Sequence, residues 1–191
     1  MKRLALLFFA VLAISAVNRP AVADSGSQVI VQSMAEEVVG LLNDANLQKP
    51  QRIEGLRSLL SKYMDLPFVG RFVLGQRWRP LSAGAKAEYT RAFEDYVVSV
   101  YAKRLDSYAG ETINVSGSRQ VNARDTLVSS AINRSNGPPV AVVWRVRDKK
   151  IIDVSVEGVS MAISQRDEFN AFLQNKSVDD LITRLKRESA S

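Results

Sequence analysis

The spacing of apolar residues changes twice along this chain of 191 residues. From about residue 28 to residue 108 apolar side chains recur every three or four positions, which indicates helices. Between 111 and 157 they recur every second position, which indicates strands, and helical spacing returns from 161. One face of the strands is apolar and only the helices can cover it, so the pattern predicts an α+β fold.

Residue types that begin and end helices divide the helical parts. Asp65, Ser82 and Ser177 are predicted N-caps, and Gly75 is a predicted helix stop. The long fourth helix carries a stripe of aromatic and aliphatic side chains along one side. The predicted helices are 28–45, one from Pro50 to about Tyr63, 65–75, one from Ser82 to about Tyr108, 161–175 and 177–188.

The central part predicts a four-stranded antiparallel meander with strands 111–119, 125–134, 139–148 and 150–157. The turn 135–138 and the pair Asp148-Lys149 separate consecutive strands. Alternation assigns two sets of residues to one apolar face of the sheet. These are Val140, Val142, Trp144 and Val146 on the third strand, and Ile152, Val154 and Val156 on the fourth.

Residues 1–23 have the three parts of a bacterial secretory signal peptide. Lys2 and Arg3 form the basic start, 4–17 is apolar, and Ala-Val-Ala at 21–23 matches a signal peptidase site. The apolar run is shorter than the about 20 residues that a membrane anchor needs. We therefore expect export, cleavage before Asp24 and a single mature domain, 24–191, in the periplasm. The absence of cysteine is compatible with that oxidising compartment.

The charge of the chain argues against nucleic-acid binding. The formal net charge is +6, and removal of 1–23, which contain three basic residues and no acid, leaves +3. These charges are spread along the chain, whereas a nucleic-acid-binding protein concentrates them on one face. A mildly basic surface is compatible with anionic headgroups.

The sequence lacks the residues that most catalytic and metal sites need. It has no histidine and no cysteine, so the commonest general base, metal ligands and thiol nucleophile are missing. Ser160 lies in a fragment of a hydrolase-like turn without a base to activate it. Asp153 and Glu157 are about 13 Å apart along a strand, too far to act as a pair, and we expect them to be solvated or paired with arginines. We predict no catalytic residues, no metal and no cofactor.

Several strings resemble the MlaC, or toluene-tolerance, family of periplasmic phospholipid carriers. They are LLSKYMD at 59–65, FVLGQRWR at 72–79, AEYTRAF at 87–93, VYA at 100–102 and IIDVSVEGVS at 151–160, followed by Arg166, Phe169 and a closing helix with Leu181, Ile182 and Leu185. The resemblance covers nearly all of 24–191. The chain departs from the family pattern at Lys149-Lys150, Trp144 and Gln165.

The resemblance implies a curved sheet and helices that enclose an apolar cavity for the acyl chains of a phospholipid. It also implies three partners: the lipid, an inner-membrane ABC transporter with its substrate-binding ring protein, and an outer-membrane lipoprotein–porin complex. We expect a monomer. Two alternatives stay open at this point, a carrier of hopanoid-related lipids and a periplasmic adaptor whose apolar residues fill a core.

The cavity wall expected from the resemblance and from the apolar stripes has members on both the helices and the strands. It comprises Phe72, Val73, Trp78, Phe93, Tyr96, Val97, Val100, Tyr101, Val128, Val142, Trp144, Val146, Ile152, Val154, Val156, Met161 and Phe169. The aromatic stripe of the fourth helix is expected to face Trp144, Val142 and Val154. Arg77 and Arg79 are expected to form a cationic rim for the lipid phosphate.

Overall fold

A computed structural model describes residues 25–105, 108 and 110–190. Within these ranges it contains six α-helices and one five-stranded sheet. The helices are α1 (Ser25–Asn43), α2 (Lys49–Tyr63), α3 (Leu66–Leu74), α4 (Ala83–Leu105), α5 (Met161–Phe172) and α6 (Val178–Ser189), with a 3₁₀ turn at Gly75–Trp78. The strands are β1 (Thr112–Gln120), β2 (Asp125–Asn133), β3 (Val140–Arg147), β4 (Lys150–Val156) and β5 (Val159–Ser160). The predicted signal peptide lies outside the described residues.

The predicted helix caps are confirmed. The Asp65 carboxylate accepts the Phe68 amide at 3.0 Å, the Ser82 hydroxyl accepts the Ala85 amide at 3.2 Å, and Ser177 forms a capping box with Asp180. Gly75, with φ +61°, ends α3 in a conformation that other residues adopt with strain. Helix α5 ends a little before its predicted limit.

The α+β class is confirmed, and the number of strands is corrected from four to five. The strands follow one another in the order β1-β2-β3-β4-β5, and each pair is antiparallel. The fifth strand has only two residues, too few for an alternating pattern to appear in the sequence. Asp148 and Lys149 form the β3–β4 turn with positive φ values of 49° and 64°, as two-residue hairpin turns require.

A bulge in β4 removes Ile152 from the predicted apolar face of that strand, while Val154 and Val156 stay on it. Arg145 pairs with Asp153 but Val146 pairs with Ile151, so Ile152 has no partner on β3. The alternation of side chains is therefore displaced by one residue. Ile151, and not Ile152, shares the apolar face with Val154, whereas Ile152 is buried outside that cluster.

Buried apolar side chains form three clusters. The helical cluster joins α3, α4, α5 and α6 and includes Tyr89, Phe93 and Phe169. The sheet cluster lies between α1 and the apolar face of the sheet. A third cluster joins α2, α3 and α4. The aromatic stripe of α4 was expected to face Trp144, and this expectation is wrong. The fully buried members of the stripe belong to the helical cluster, whereas Trp144 belongs to the sheet cluster. None of the helices in the described ranges has the length and hydrophobicity that crossing a bilayer requires.

Candidate binding site

The sheet cluster is the part of the fold that best matches the predicted cavity wall. Nine buried residues form it, and five of them were predicted from the sequence: Val128, Val142, Trp144, Val146 and Val154. The others are Val31 and Met34 from α1, Tyr63 from α2 and Ile151. The indole Nε1 of Trp144 donates to the Ser130 hydroxyl at 2.8 Å, so this buried ring keeps its hydrogen bond.

The cover over the apolar sheet face is incomplete. Val146 and Ile151 at one end are 2% and 0% exposed. Toward the other end burial declines, although the side chains remain apolar. The half-covered end of the sheet consists of five half-buried residues, Ile113, Val115, Ile132, Val140 and Val156. Val159 pairs with Val156 and is 54% exposed, so the half-covered end of the sheet continues to the surface.

Helix α1 covers the better buried end and is fastened by a few polar contacts. The Gln28 amide donates to the Ser118 hydroxyl on β1 at 2.9 Å. The Tyr63 hydroxyl donates to Glu37 at 2.6 Å, and the Lys62 ammonium lies 2.7 Å from the same carboxylate. Together with Val31 and Met34, these contacts hold α1 against both the sheet and α2.

Two of the clefts at the surface of the described residues lie beside α1 or the connection that follows it. One, of about 340 Å³, opens between α1 and the sheet and is lined by Gly26, Ser27, Ile30, Arg124, Thr126, Val146, Asp148 and Lys149. The other, of about 290 Å³, lies beside the α1–α2 connection. The first borders the sheet cluster through Val146. Both volumes fall at the lower limit of ligand pockets, which range from about 300 to 1,000 Å³.

Most of the predicted wall residues on the helices lie in the helical cluster. Phe93 stacks on Tyr89 at 6.0 Å between ring centroids and meets Phe169 edge-on at 6.4 Å. The Tyr89 hydroxyl donates to the Gly70 carbonyl at 3.0 Å, and burial raises the pKa of that hydroxyl. This cluster also contains Val73, with Phe72, Trp78, Tyr96 and Val97 packed against it. None of these side chains belongs to the sheet cluster.

The remaining predicted wall residues lie apart from one another. Tyr101 packs against the third cluster, and Val100 is half-buried on the same helix. Met161 is 38% exposed at the start of α5. The apolar residues that the prediction brings to one wall are therefore distributed over three clusters and the surface.

The predicted rim arginines are exposed on the turn after α3. Arg77 and Arg79 have no acidic group within ion-pair distance among the described residues. Trp78, between them, meets Tyr89 edge-on at 6.1 Å and so anchors the turn to the helical cluster. The Lys86 ammonium lies 5.7 Å from the centre of the Trp78 ring. This turn is thus an anchored, cationic part of the surface.

Residues 32–187 match the family model described as MlaC protein. The chain belongs to the MlaC family. It is 23% identical over 186 residues to the intermembrane phospholipid transport system binding protein MlaC of Haemophilus influenzae, a match that covers 91% of this chain and 87% of the relative. A solved structure of the phospholipid-binding protein from Ralstonia solanacearum, in complex with a phospholipid, superposes with a TM-score of 0.73. That match has 18% identity and covers 86% of this chain and 97% of the other, and it shows a shared fold.

In this member of the MlaC family, Ser160 and Asp153 have structural contacts. The Ser160 hydroxyl donates to Asp153 at 2.7 Å and accepts the Ile163 amide at 3.1 Å as the N-cap of α5. Asp153 also accepts the amides of Val154 and Ala162, and Glu157 accepts the Ala141 amide at 2.6 Å. Glu157 is exposed, as expected for a solvated acid, whereas Asp153 is half-buried and is held by Ser160 and backbone amides in place of an arginine. No cluster of three potential metal ligands occurs among the described residues.

The cavity wall predicted from the sequence omitted several residues of the sheet cluster and of the half-covered end of the sheet. Val31, Met34 and Tyr63 lie within predicted helices, but a helical period does not say which layer a helix covers. Ile151 was missed because the bulge is invisible in the pattern. Ile113 and Val115 alternate as strand residues should, and the same period-two reasoning that selected Val140 and Val142 would have found them.

Proposed function

We propose that this chain is a soluble carrier that binds the acyl chains of a phospholipid and moves the lipid between the outer and inner membranes. The structural observation that carries this proposal is the apolar face of the sheet, which is only half-buried from Ile113 to Val156. The choice of ligand is supported by the similar Haemophilus influenzae protein, a phospholipid transport system binding protein, and by the Ralstonia solanacearum protein of the same fold, which was solved with a phospholipid.

Energetics favour a large apolar contact over a few hydrogen bonds. Two acyl chains have about 30 methylenes, and transfer of each from water to an apolar environment is favourable by about 0.8 kcal/mol. A carrier must therefore offer apolar contacts worth about 25 kcal/mol. Neither surface cleft is large enough to supply that contact. We infer that α1 and the sheet separate when lipid enters, starting from the 340 Å³ cleft or from the half-covered end of the sheet.

The proposed acyl-chain contacts are the members of the sheet cluster together with the half-covered end of the sheet. Trp144, Val154 and Val156 from the original prediction stay in this set. Ile151 replaces Ile152 because of the bulge in β4. Phe93 and Phe169 leave the set, since they fill the helical cluster. Arg77 and Arg79 are kept as a proposed contact with anionic headgroups because both are exposed and cationic.

The cellular setting follows the same proposal. Residues 1–23 are a cleaved signal peptide, and the mature chain works in the periplasm. Its partners are an inner-membrane ABC transporter with a substrate-binding ring protein and an outer-membrane lipoprotein–porin complex. The MlaC family is a family of non-enzymatic carriers, and lipid is expected to leave the protein chemically unchanged.

Native mass spectrometry of the purified mature chain tests the proposal. We expect a co-purifying mass of phospholipid size. Val156→Glu and Val140→Glu place a charge on half-buried positions and should reduce lipid occupancy severalfold while the protein stays folded by circular dichroism. Val142 and Val154 are less suitable, because they are 1% and 8% exposed and a charge there would disturb folding.

Val29→Glu is the matched control, since it adds the same charge to α1 at a position that is 61% exposed. Its lipid occupancy should equal that of the unmodified protein. A purified protein that shows only its own mass, before and after incubation with phospholipid vesicles, would contradict the carrier and support an adaptor with a filled core.

A further inference from the structure

The sheet has a second face, which points away from the sheet cluster. Strand pairing places Arg119, Leu127 and Arg145 opposite one another across β1, β2 and β3. Their neighbours Val128 and Trp144 belong to the sheet cluster. Because side chains alternate along a strand, the three residues lie on the opposite face. We call this face, which also carries Arg147, the outer face.

A buried carboxylate orders two arginines of the outer face. The Arg147 Nε and Nη2 atoms lie 2.5 and 2.8 Å from the two oxygens of Asp125, a bidentate pair. The Arg145 Nη1 atom lies 3.6 Å from the same carboxylate. The Asp125 side chain is 1% exposed, whereas those of Arg147 and Arg145 are 25% and 44% exposed. The arginines are thus held in place, and their outward sides remain accessible.

Helix α3 extends this cationic surface. The guanidinium of Arg147 lies 5.2 Å from the centre of the Phe68 ring, and the guanidinium of Arg71 lies 5.6 Å from the same ring. Such contacts with an aromatic ring orient a guanidinium without neutralising its charge. Arg71 is exposed. One phenylalanine therefore links the arginines of the sheet to a further arginine on the adjoining helix.

The charges of this region do not balance. Four arginines, Arg71, Arg119, Arg145 and Arg147, share this region with two acids of the same face, Asp125 and Asp153, the second of which strand pairing places opposite Arg145. Asp153 is engaged with Ser160 and backbone amides, and the nearby Asp148 pairs with Arg124 at 2.6 Å. Leu127 lies between Arg119 and Arg145. Further along β2 and β3 the same face carries small or half-buried side chains, namely Ser129, Ala131, Ala141 and Val143.

We propose that the outer face binds an acidic segment of a partner protein. Arg119 and Arg145 are two strand spacings apart, about 10 Å, and an extended segment presents alternate side chains about 7 Å apart. The long arginine side chains can span that difference. The small side chains along β2 and β3 leave room for a polypeptide segment, and the exposed guanidiniums of Arg119 and Arg145 select carboxylates. This surface is separate from the sheet cluster, so the proposal does not rest on lipid binding.

A labelled poly-glutamate peptide serves as the probe, with fluorescence anisotropy as the readout. The test variant is Arg119→Gln with Arg145→Gln, which removes two exposed charges and leaves the Arg147–Asp125 pair. The matched control is Arg134→Gln with Lys176→Gln, two exposed cations on other parts of the chain. We expect the test variant to weaken binding by about tenfold and the control by less than about twofold, with the difference declining at high salt.

Equal weakening by the two variants would overturn the proposal, because binding would then follow net charge alone. Absence of peptide binding by the unmodified protein at low salt would also overturn it. A third contrary result is a test variant that loses binding to anionic phosphatidylglycerol vesicles but keeps binding to the peptide, since the face would then contact membranes. Thermal denaturation of both variants checks that each remains folded.

Discussion

The hydroxyl of Tyr63 donates a 2.6 Å hydrogen bond to the carboxylate of Glu37, and its ring lies in the sheet cluster. This contact joins the end of α2 to the middle of α1, the helix that covers the sheet. The hydrogen bonds from Lys62 and then Tyr63 lower the pKa of Glu37, and the bond to Glu37 raises the pKa of Tyr63. The Glu37 carboxylate therefore holds α1, which covers the proposed lipid site, against α2.

Tyr63→Phe is expected to loosen that cover. The change removes one hydrogen bond to a partly exposed charged group, which should lower the free energy of unfolding by about 1 kcal/mol. If α1 separates from the sheet during lipid exchange, transfer of a fluorescent phospholipid between vesicles should accelerate severalfold. Tyr96→Phe, which removes a 3.2 Å hydrogen bond to Gln165 in the helical cluster, is the control. Equal transfer rates for the two variants would assign Tyr63 to stability alone.

The Asp125 carboxylate should make stability depend on pH in the acidic range. Its hydrogen bond from Arg147 lowers its pKa from 3.8 to about 2. A lowered carboxyl pKa contributes stability that is present above the unfolded value and is lost as pH falls toward about 2. Asp125→Asn should therefore reduce the free energy of unfolding by about 2 kcal/mol at pH 7 and by less at pH 3. Chemical denaturation at both pH values measures this.

Asp148→Asn is the control for that experiment. It removes a carboxylate that is 68% exposed and pairs with Arg124 at the surface. Its effect at pH 7 should stay within about 0.5 kcal/mol. A pH-independent loss for Asp125→Asn would show that packing, and not charge, explains its contribution.

Arg77→Glu with Arg79→Glu tests the proposed headgroup contact. Both side chains are exposed and without acidic partners in the described part of the chain, so stability should change by less than about 0.5 kcal/mol. Uptake of lipid from anionic vesicles should slow at low salt, and the difference should shrink at high salt. Uptake from zwitterionic vesicles should be unaffected. Normal uptake from anionic vesicles at low salt would remove this role.

Ser160→Ala separates a structural role from a chemical one. Loss of the N-cap of α5 should lower the free energy of unfolding by about 1 kcal/mol. Lipid occupancy and transfer should be unchanged, because the hydroxyl caps α5 and its partner Asp153 is itself held by backbone amides. Mass analysis of recovered lipid should find no lyso-lipid or free fatty acid. Hydrolysis products that disappear in the Ser160→Ala variant would contradict the carrier function.

The element boundaries were predictable because they depend on local chemistry. Asp65, Ser82 and Ser177 each accept a hydrogen bond from an amide three residues further along the chain. Their role as helix caps can therefore be recognised from the neighbouring residues of the sequence. The Asp148-Lys149 turn is local in the same sense. Periodicity likewise identified Val142 and Trp144 as one face of a strand.

The arrangement of layers was not predictable in this way. An apolar stripe on α4 records that Phe93 is buried, but not whether α5 or the sheet buries it. That choice depends on contacts between residues far apart in the chain, such as Phe93 with Phe169 and Tyr63 with Glu37. Such contacts distributed the predicted cavity wall over three clusters and the surface.

The unpaired Ile152 in β4 has a consequence for comparing this protein with its relatives. A homologue without the bulge needs one residue fewer in this strand to keep the counterparts of Ile151 and Val154 turned to the same side. A gap-free alignment through the strand would then match inward-facing residues of one protein with outward-facing residues of the other. Ligand specificity inferred from such columns would compare side chains that never meet the same molecule.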